Sequence, residues 1–164
     1  MKGWGTLMAL CFAALCFAPL PALADQEIKS FVRGSYQQIV AARQGRPFVV
    51  SFWSLTCSYC IAEMSLLKKL HKKYPGLDLV MISTDTQEEK NAVRAVLADY
   101  SLDRADAWVF ADGYAERLRY EVDKTWQGEL PRTYLFGTRG AAIAISGKLE
   151  GKEMERWVKA HYAP

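Results

Sequence analysis

Two cysteines separated by two residues, Cys57-Ser58-Tyr59-Cys60, are the part of this 164-residue chain whose residue types and spacing can do chemistry. A thiolate is both a nucleophile and a soft metal ligand. The pair can therefore be a redox dithiol, half of a zinc site, or a staple. A structural zinc site needs four ligands, supplied by a second cysteine pair or by two histidines at finger spacing. The two histidines, His71 and His161, stand at no such spacing, and no second C-x-x-C is present. No metal is expected, and no other cofactor. A staple that closes so short a loop takes little entropy from the unfolded chain. Thiol–disulfide exchange fits the spacing best: one thiolate attacks a disulfide, and a second thiol close by resolves the mixed disulfide.

The elements around the pair must hold it in that role. Pro47–Trp53 is a near-continuous apolar run rich in β-branched and aromatic residues and reads as a buried strand. After a short connection, Ile61, Met64, Leu67, Leu70 and Tyr74 recur every three or four residues, an amphipathic helix stopped by Pro75-Gly76. The motif thus sits where a strand hands over to a helix. Cys57 falls near the helix N-terminus, where free N–H groups and the helix dipole favour a thiolate, and Cys60 falls about one turn inside.

Elsewhere, Phe31, Tyr36, Ile39 and Val40 predict one helix within Asp25–Gly45. Strands are predicted at Leu77–Ser83 and Ala107–Ala111, with helices at Thr86–Tyr100 and Tyr114–Tyr120. Thr133–Phe136 and Ala142–Ser146 are strands joined by Gly137–Gly140, short enough for an antiparallel hairpin, and Lys152–His161 is a last helix. A parallel βα portion followed by a hairpin and a helix implies an α/β fold, a mixed central sheet with helices on both faces.

Residues 1–24 read as a secretory signal, with an uncleaved membrane anchor as the alternative: Met1-Lys2, an apolar run over Leu7–Ala18, then Pro19-Leu20-Pro21 and the A-x-A stretch Ala22-Leu23-Ala24. Cleavage after Ala24 would remove Cys11 and Cys16 and leave one domain, 25–164, carrying Cys57 and Cys60 where disulfides persist. The formal charge of +3 becomes +2 without Lys2 (20 basic against 18 acidic side chains), which suits neither a nucleic-acid binder nor a membrane-surface protein. The run Lys68, Lys69, Lys72, Lys73 reads as the solvated face of its helix.

The run from Phe52 to Met64, Phe-Trp-Ser-Leu-Thr-Cys-Ser-Tyr-Cys-Ile-Ala-Glu-Met, resembles the active-site run of the TlpA/ResA-like thioredoxin family. A second segment, Leu130-Pro131-Arg132-Thr133-Tyr134-Leu135-Phe136, resembles the family's cis-proline loop. The resemblance implies a thioredoxin fold with an extra βα insertion between the motif and that loop. It implies a cis bond at Pro131, substrate pairing with the backbone of Leu130, and further substrate contacts at Ser58, Tyr59 and Trp53, the last either lidding the motif or packed beneath it. Trp126 and Gly128 would line the groove. Glu63 matches the family's acidic residue and would exchange protons with the thiols, while Ser51 stands where thioredoxin keeps a buried aspartate. Thr56 and Ser58-Tyr59 depart from the family pattern, which leaves the redox potential open.

The function implied is that of an exported, periplasmic or otherwise extracytoplasmic thiol–disulfide oxidoreductase. The leading form is a dithiol reductase of one protein disulfide, for example in cytochrome c maturation, served by a membrane thiol–disulfide electron carrier. The same chemistry run backwards gives a disulfide donor or isomerase. A thiol peroxidase and a thiol-based module for a soft ion such as Cu(I) are the other readings.

Overall fold

A computed structural model of the chain describes residues 26–163, so the expected signal segment at 1–24 lies outside the described residues. Six strands form one sheet: β1 (Ile28–Phe31), β2 (Phe48–Trp53), β3 (Leu79–Ser83), β4 (Asp106–Phe110), β5 (Arg132–Phe136) and β6 (Ala142–Ser146). Their order is β1-β4-β3-β2-β5-β6. The first four run parallel, and β5 and β6 are antiparallel to their neighbours. Every residue of β2, β3 and β5 is buried, which is why those stretches read as apolar runs without alternation.

Five helices cover the sheet: α1 (Ser35–Ala41), α2 (Ser58–Lys73), α3 (Lys90–Asp99), α4 (Ala115–Val122) and α5 (Gly151–Tyr162). Successive side chains of a strand point to opposite faces, so the sheet builds two cores. One is mainly aliphatic: Val49 and Trp53 of β2 meet Cys60, Met64 and Leu67 of α2, Leu97 of α3 and Val158 of α5. The other is mainly aromatic: Phe48 and Phe52 of β2 meet Phe31, Phe110, Tyr134 and Phe136, under Ile39 of α1 and Leu118 of α4. This is the mixed α/β thioredoxin fold that the sequence predicts, with the inserted βα unit supplied by α3 and β4.

Two expectations change. The single helix predicted within Asp25–Gly45 is an edge strand followed by a shorter helix. Ile28 and Phe31 lie three apart, which mimics helical spacing, but they point into opposite cores, as an odd separation along a strand requires. Gly34 at φ 84° turns the chain before α1, and α1 ends at Ala41. The helix predicted over Thr86–Tyr100 begins as a short 3-10 turn at Gln87–Glu89, with the Glu89 carboxylate accepting from Thr86 N–H at 2.9 Å, and becomes α-helical at Lys90.

Candidate active site

The strand-to-helix handover falls where the sequence puts it. β2 ends at Trp53, α2 begins at Ser58, and Cys57 is the N-cap of α2. Its sulfur accepts a hydrogen bond from Cys60 N–H at 3.1 Å. The two cysteines are joined as a disulfide, with Cα atoms 5.2 Å apart. Their surroundings differ: Cys57 is partly exposed, while Cys60 is 2% exposed and belongs to the aliphatic core. An N-cap sulfur is held against free N–H groups and the positive end of a 16-residue helix, which stabilises negative charge there. In the reduced pair, Cys57 can meet a partner and Cys60 can meet only Cys57.

The peptide bond between Leu130 and Pro131 is cis, as expected from the loop's resemblance. The antiparallel register Phe52↔Arg132 carries Pro131 to the level of Trp53, at the end of β2 that leads into the motif. Leu130 and Cys57 both pack against the margin of the aliphatic core. Arg132, one residue on, is buried and holds the loop in shape. Its guanidinium donates to Asp123 at 2.6 Å, to the Tyr134 hydroxyl at 3.1 Å and to Ser146 Oγ, and Ser146 Oγ in turn donates to Glu129 at 2.7 Å. Trp126 is buried in the aromatic core with its indole N–H on Glu129 O at 2.9 Å, while the Arg119 side chain crosses Gly128, so both residues support the loop.

Glu63 lies one turn after Cys60 on the same face of α2 and is 2% exposed. Its Oε2 accepts from Leu149 N–H at 2.8 Å. Burial pushes its pKa above the ordinary glutamate value of 4.5, against the opposing pull of that hydrogen bond and of Lys148. One short segment touches both sides of the site, since Gly147 N–H donates to Pro131 O at 2.8 Å just before Leu149 reaches Glu63.

The other expected residues divide. Tyr59 is 67% exposed and Ser58 is exposed, so both flank Cys57 on the surface. Trp53 is different. At 1% exposure it packs under the motif with Cys60, and its indole N–H finds no partner among the described residues, so its expected contact with substrate is corrected to a core role. The physical reason is its position on an all-buried central strand, whose side chains have no route to solvent. Ser51 is buried on the same face of β2, paired in register with Thr133. Lys69, Lys72 and Lys73 are exposed and Lys68 partly so, and Lys73 meets Glu155 at 2.5 Å.

Sequence reasoning missed Asp85. It lies just beyond β3, is 8% exposed, and accepts from Ser54 Oγ at 2.8 Å, Leu55 N–H at 2.9 Å and Ser83 Oγ at 2.5 Å. The available signal was its place at the carboxyl end of a parallel strand, where α/β folds put their working residues.

A family model described as the AhpC/TSA family matches residues 18–144. The protein FixW of Rhizobium leguminosarum is 30% identical over 116 residues, covering 64% of this chain and 50% of FixW, so the chain spans about half the length of that curated relative. Among solved structures, a secreted Mycobacterium tuberculosis disulfide oxidoreductase homologous to Escherichia coli DsbE superposes with TM-score 0.57 at 22% identity, covering 73% of this chain and 85% of that one. A thioredoxin-family thiol:disulfide interchange protein from Chlorobium tepidum TLS superposes with TM-score 0.59 at 18% identity, covering 75% and 84%. At these identities the superpositions establish the shared fold.

Proposed function

Because the chain belongs to the AhpC/TSA family, with the TlpA/ResA-like thioredoxin pattern in its motif, we propose that it is an extracytoplasmic thiol–disulfide oxidoreductase acting on a protein disulfide. The observation that carries this reading is the asymmetry of the pair, a partly exposed N-cap Cys57 bonded to a buried Cys60. In the reducing direction, the Cys57 thiolate attacks one sulfur of the substrate disulfide, and the other leaves as a thiolate. The Cys60 thiol then gives its proton to Glu63 and attacks Cys57 Sγ. The second substrate sulfur departs, and the Cys57–Cys60 disulfide remains, two electrons having passed to the substrate. Burial suits Glu63 to that exchange, because it holds the pKa above the ordinary carboxylate range.

Leu130 precedes the cis bond, and its N–H and C=O are free of hydrogen bonds among the described residues; an extended substrate segment pairs there while Tyr59 and Ser58 meet its side chains. A membrane dithiol carrier restores the reduced pair. Secretion is stated for the Mycobacterium tuberculosis homologue, which favours an extracytoplasmic site for this chain.

Trapping tests the reading. A Cys60→Ala variant, expressed with residues 1–24, is expected to accumulate mixed disulfides through Cys57 with one or a few proteins. A reduction potential near the thioredoxin value of about −270 mV fits the reductase, and one near about −120 mV turns the proposal into a disulfide donor. Absence of trapped partners, together with absence of disulfide exchange by the parent protein, overturns it. Rapid consumption of hydrogen peroxide would replace it with a peroxidase.

A further inference from the structure

The loop between β2 and α2 is four residues long, Ser54 to Cys57. It is fixed by bonds within itself and by a carboxyl just beyond the end of β3. Asp85 takes Ser54 Oγ–H on one carboxyl oxygen, and Leu55 N–H and Ser83 Oγ–H on the other. Ser83 Oγ in return accepts from Asp85 N–H at 3.0 Å, which fixes the side chain from behind. The constraint then passes along the loop. Ser54 Oγ accepts from Thr56 N–H at 3.2 Å, and Ser54 O accepts from Cys57 N–H at 3.2 Å. Neighbouring Thr84 N–H binds Trp53 O at 2.9 Å, so the two strand ends are tied together directly beneath the loop.

Resting on the oxidoreductase reading, we propose that Asp85 is the positioning residue of the redox site, holding Ser54–Thr56 so that Cys57 stays the N-cap of α2 after the disulfide is opened. While the disulfide is closed, the S–S bond keeps Cys57 Sγ against Cys60 N–H. Once it is reduced, that link is gone, and the sulfur is kept over the first turn of the helix by the loop, with Ile61 N–H on Cys57 O at 3.1 Å. A buried carboxyl with three donors can do this because its removal strands Leu55 N–H and the Ser83 hydroxyl and leaves the Ser54 hydroxyl to Thr56 Oγ1 at 3.1 Å, which the loop relieves by moving. Movement takes the sulfur from the N–H groups that stabilise its charge. Asp85 therefore reaches the reaction through the fraction of Cys57 present as thiolate.

The experiment reads that fraction directly, as the pH midpoint of iodoacetamide alkylation of reduced Cys57. In the Asp85→Ala variant the midpoint is expected to rise by about one pH unit, a loss of thiolate that reaches about tenfold at pH well below both midpoints. A more basic thiolate is intrinsically more nucleophilic, with a Brønsted slope of about 0.4–0.5, so in that pH range attack on a small aromatic disulfide slows only about threefold. The Asp85→Asn variant is expected to keep the parental midpoint. Its amide oxygen still accepts from Leu55 N–H, and its amide nitrogen can donate to Ser54 Oγ. Should Asp85→Ala fail to fold, Ser54→Ala, which removes one strand of the same tie, must move the midpoint in the same direction. Leu118→Ala, in the opposite core, lowers thermal stability and leaves the midpoint alone.

An unshifted midpoint in folded Asp85→Ala or Ser54→Ala overturns the proposal and leaves Asp85 a purely structural residue. A downward shift in both Asp85 variants also overturns it, because then the carboxyl's charge and not its grip governs the thiol. If the parent protein exchanges no disulfides, the functional reading fails separately, since the alkylation midpoint is still measured.

Discussion

The two cores flanking the sheet each bury an ionisable side chain, and they treat it in opposite ways. On the aromatic side, Arg132 is 9% exposed and is met by Asp123 and Glu129, with the Tyr134 hydroxyl and Ser146 completing its partners. On the aliphatic side, Glu63 is 2% exposed and meets one backbone N–H, with no ion pair among the described residues. A buried charge with its counter-charges in place is locked into one protonation state. A buried carboxyl with a single neutral donor is pushed toward its protonated form. The lesson is a division of labour: the face that carries Arg132 holds the cis-proline loop, and the face that carries Glu63 holds the cysteines.

The largest test of that division is Phe52→Ala. Phe52 is fully buried and touches the rings of Phe31, Tyr36, Phe110, Trp126 and Tyr134. Truncation is expected to cost about 3–5 kcal/mol in denaturant unfolding. The Cys57 alkylation midpoint of the remaining folded protein stays put. A shift of that midpoint comparable to the stability loss would break the comparison, because the aromatic face would then be tuning the thiol.

Glu63→Gln probes the other side. The amide keeps an acceptor for Leu149 N–H and removes the exchangeable proton, so resolution of a mixed disulfide by Cys60 is expected to slow on the order of a hundredfold in stopped-flow measurements. Stability carries a second signature. Glu63 binds its proton more tightly in the folded state than at its ordinary value of 4.5, so its contribution is fully present below that pH and is lost as pH rises through the elevated folded value. The Glu63→Gln variant should lack this decline. An identical decline in both proteins would assign the effect to another group.

The smallest expected effect belongs to Asp123→Asn. Hydrogen bonds from the Thr125 hydroxyl and N–H, joined by Arg132, hold the Asp123 pKa down at about 2, below its usual 3.8. Its contribution is present above the usual value and is lost as pH falls through about 2. With allowance for solvent screening, the variant should lose about 1 kcal/mol at neutral pH and show a flatter acid limb in thermal melts. Its disulfide chemistry should be unaffected, and a slowed attack by Cys57 would mean that the cis-proline loop reports on the thiol after all.

How far the sequence carried differs from residue to residue. Cys57 and Cys60 were legible because their signal is local, a spacing of two residues between a strand and a helix, whereas the cis bond at Pro131 was reached only through the resemblance of its segment to a family loop. The hairpin of β5 and β6 was legible for the same reason, through the short connection at Gly137–Gly140. The β1 strand was not, since four residues at a sheet edge offer too little periodicity to separate from the helix that follows. Trp53 was left between a lid over the motif and a place beneath it, and its all-buried strand decides for the core.

By itself, then, the sequence determined the spacing of Cys57 and Cys60, their place where a strand hands over to a helix, and the α/β frame that presents them. Tertiary structure alone decided that Glu63 is buried against Leu149, 86 positions away in sequence, and that Asp85 grips a loop about 30 positions before it. Periodicity reports which way a side chain faces within its own element. Burial of a carboxyl and the partners it finds depend on which distant segments the sheet brings together, and no local pattern in the chain records that.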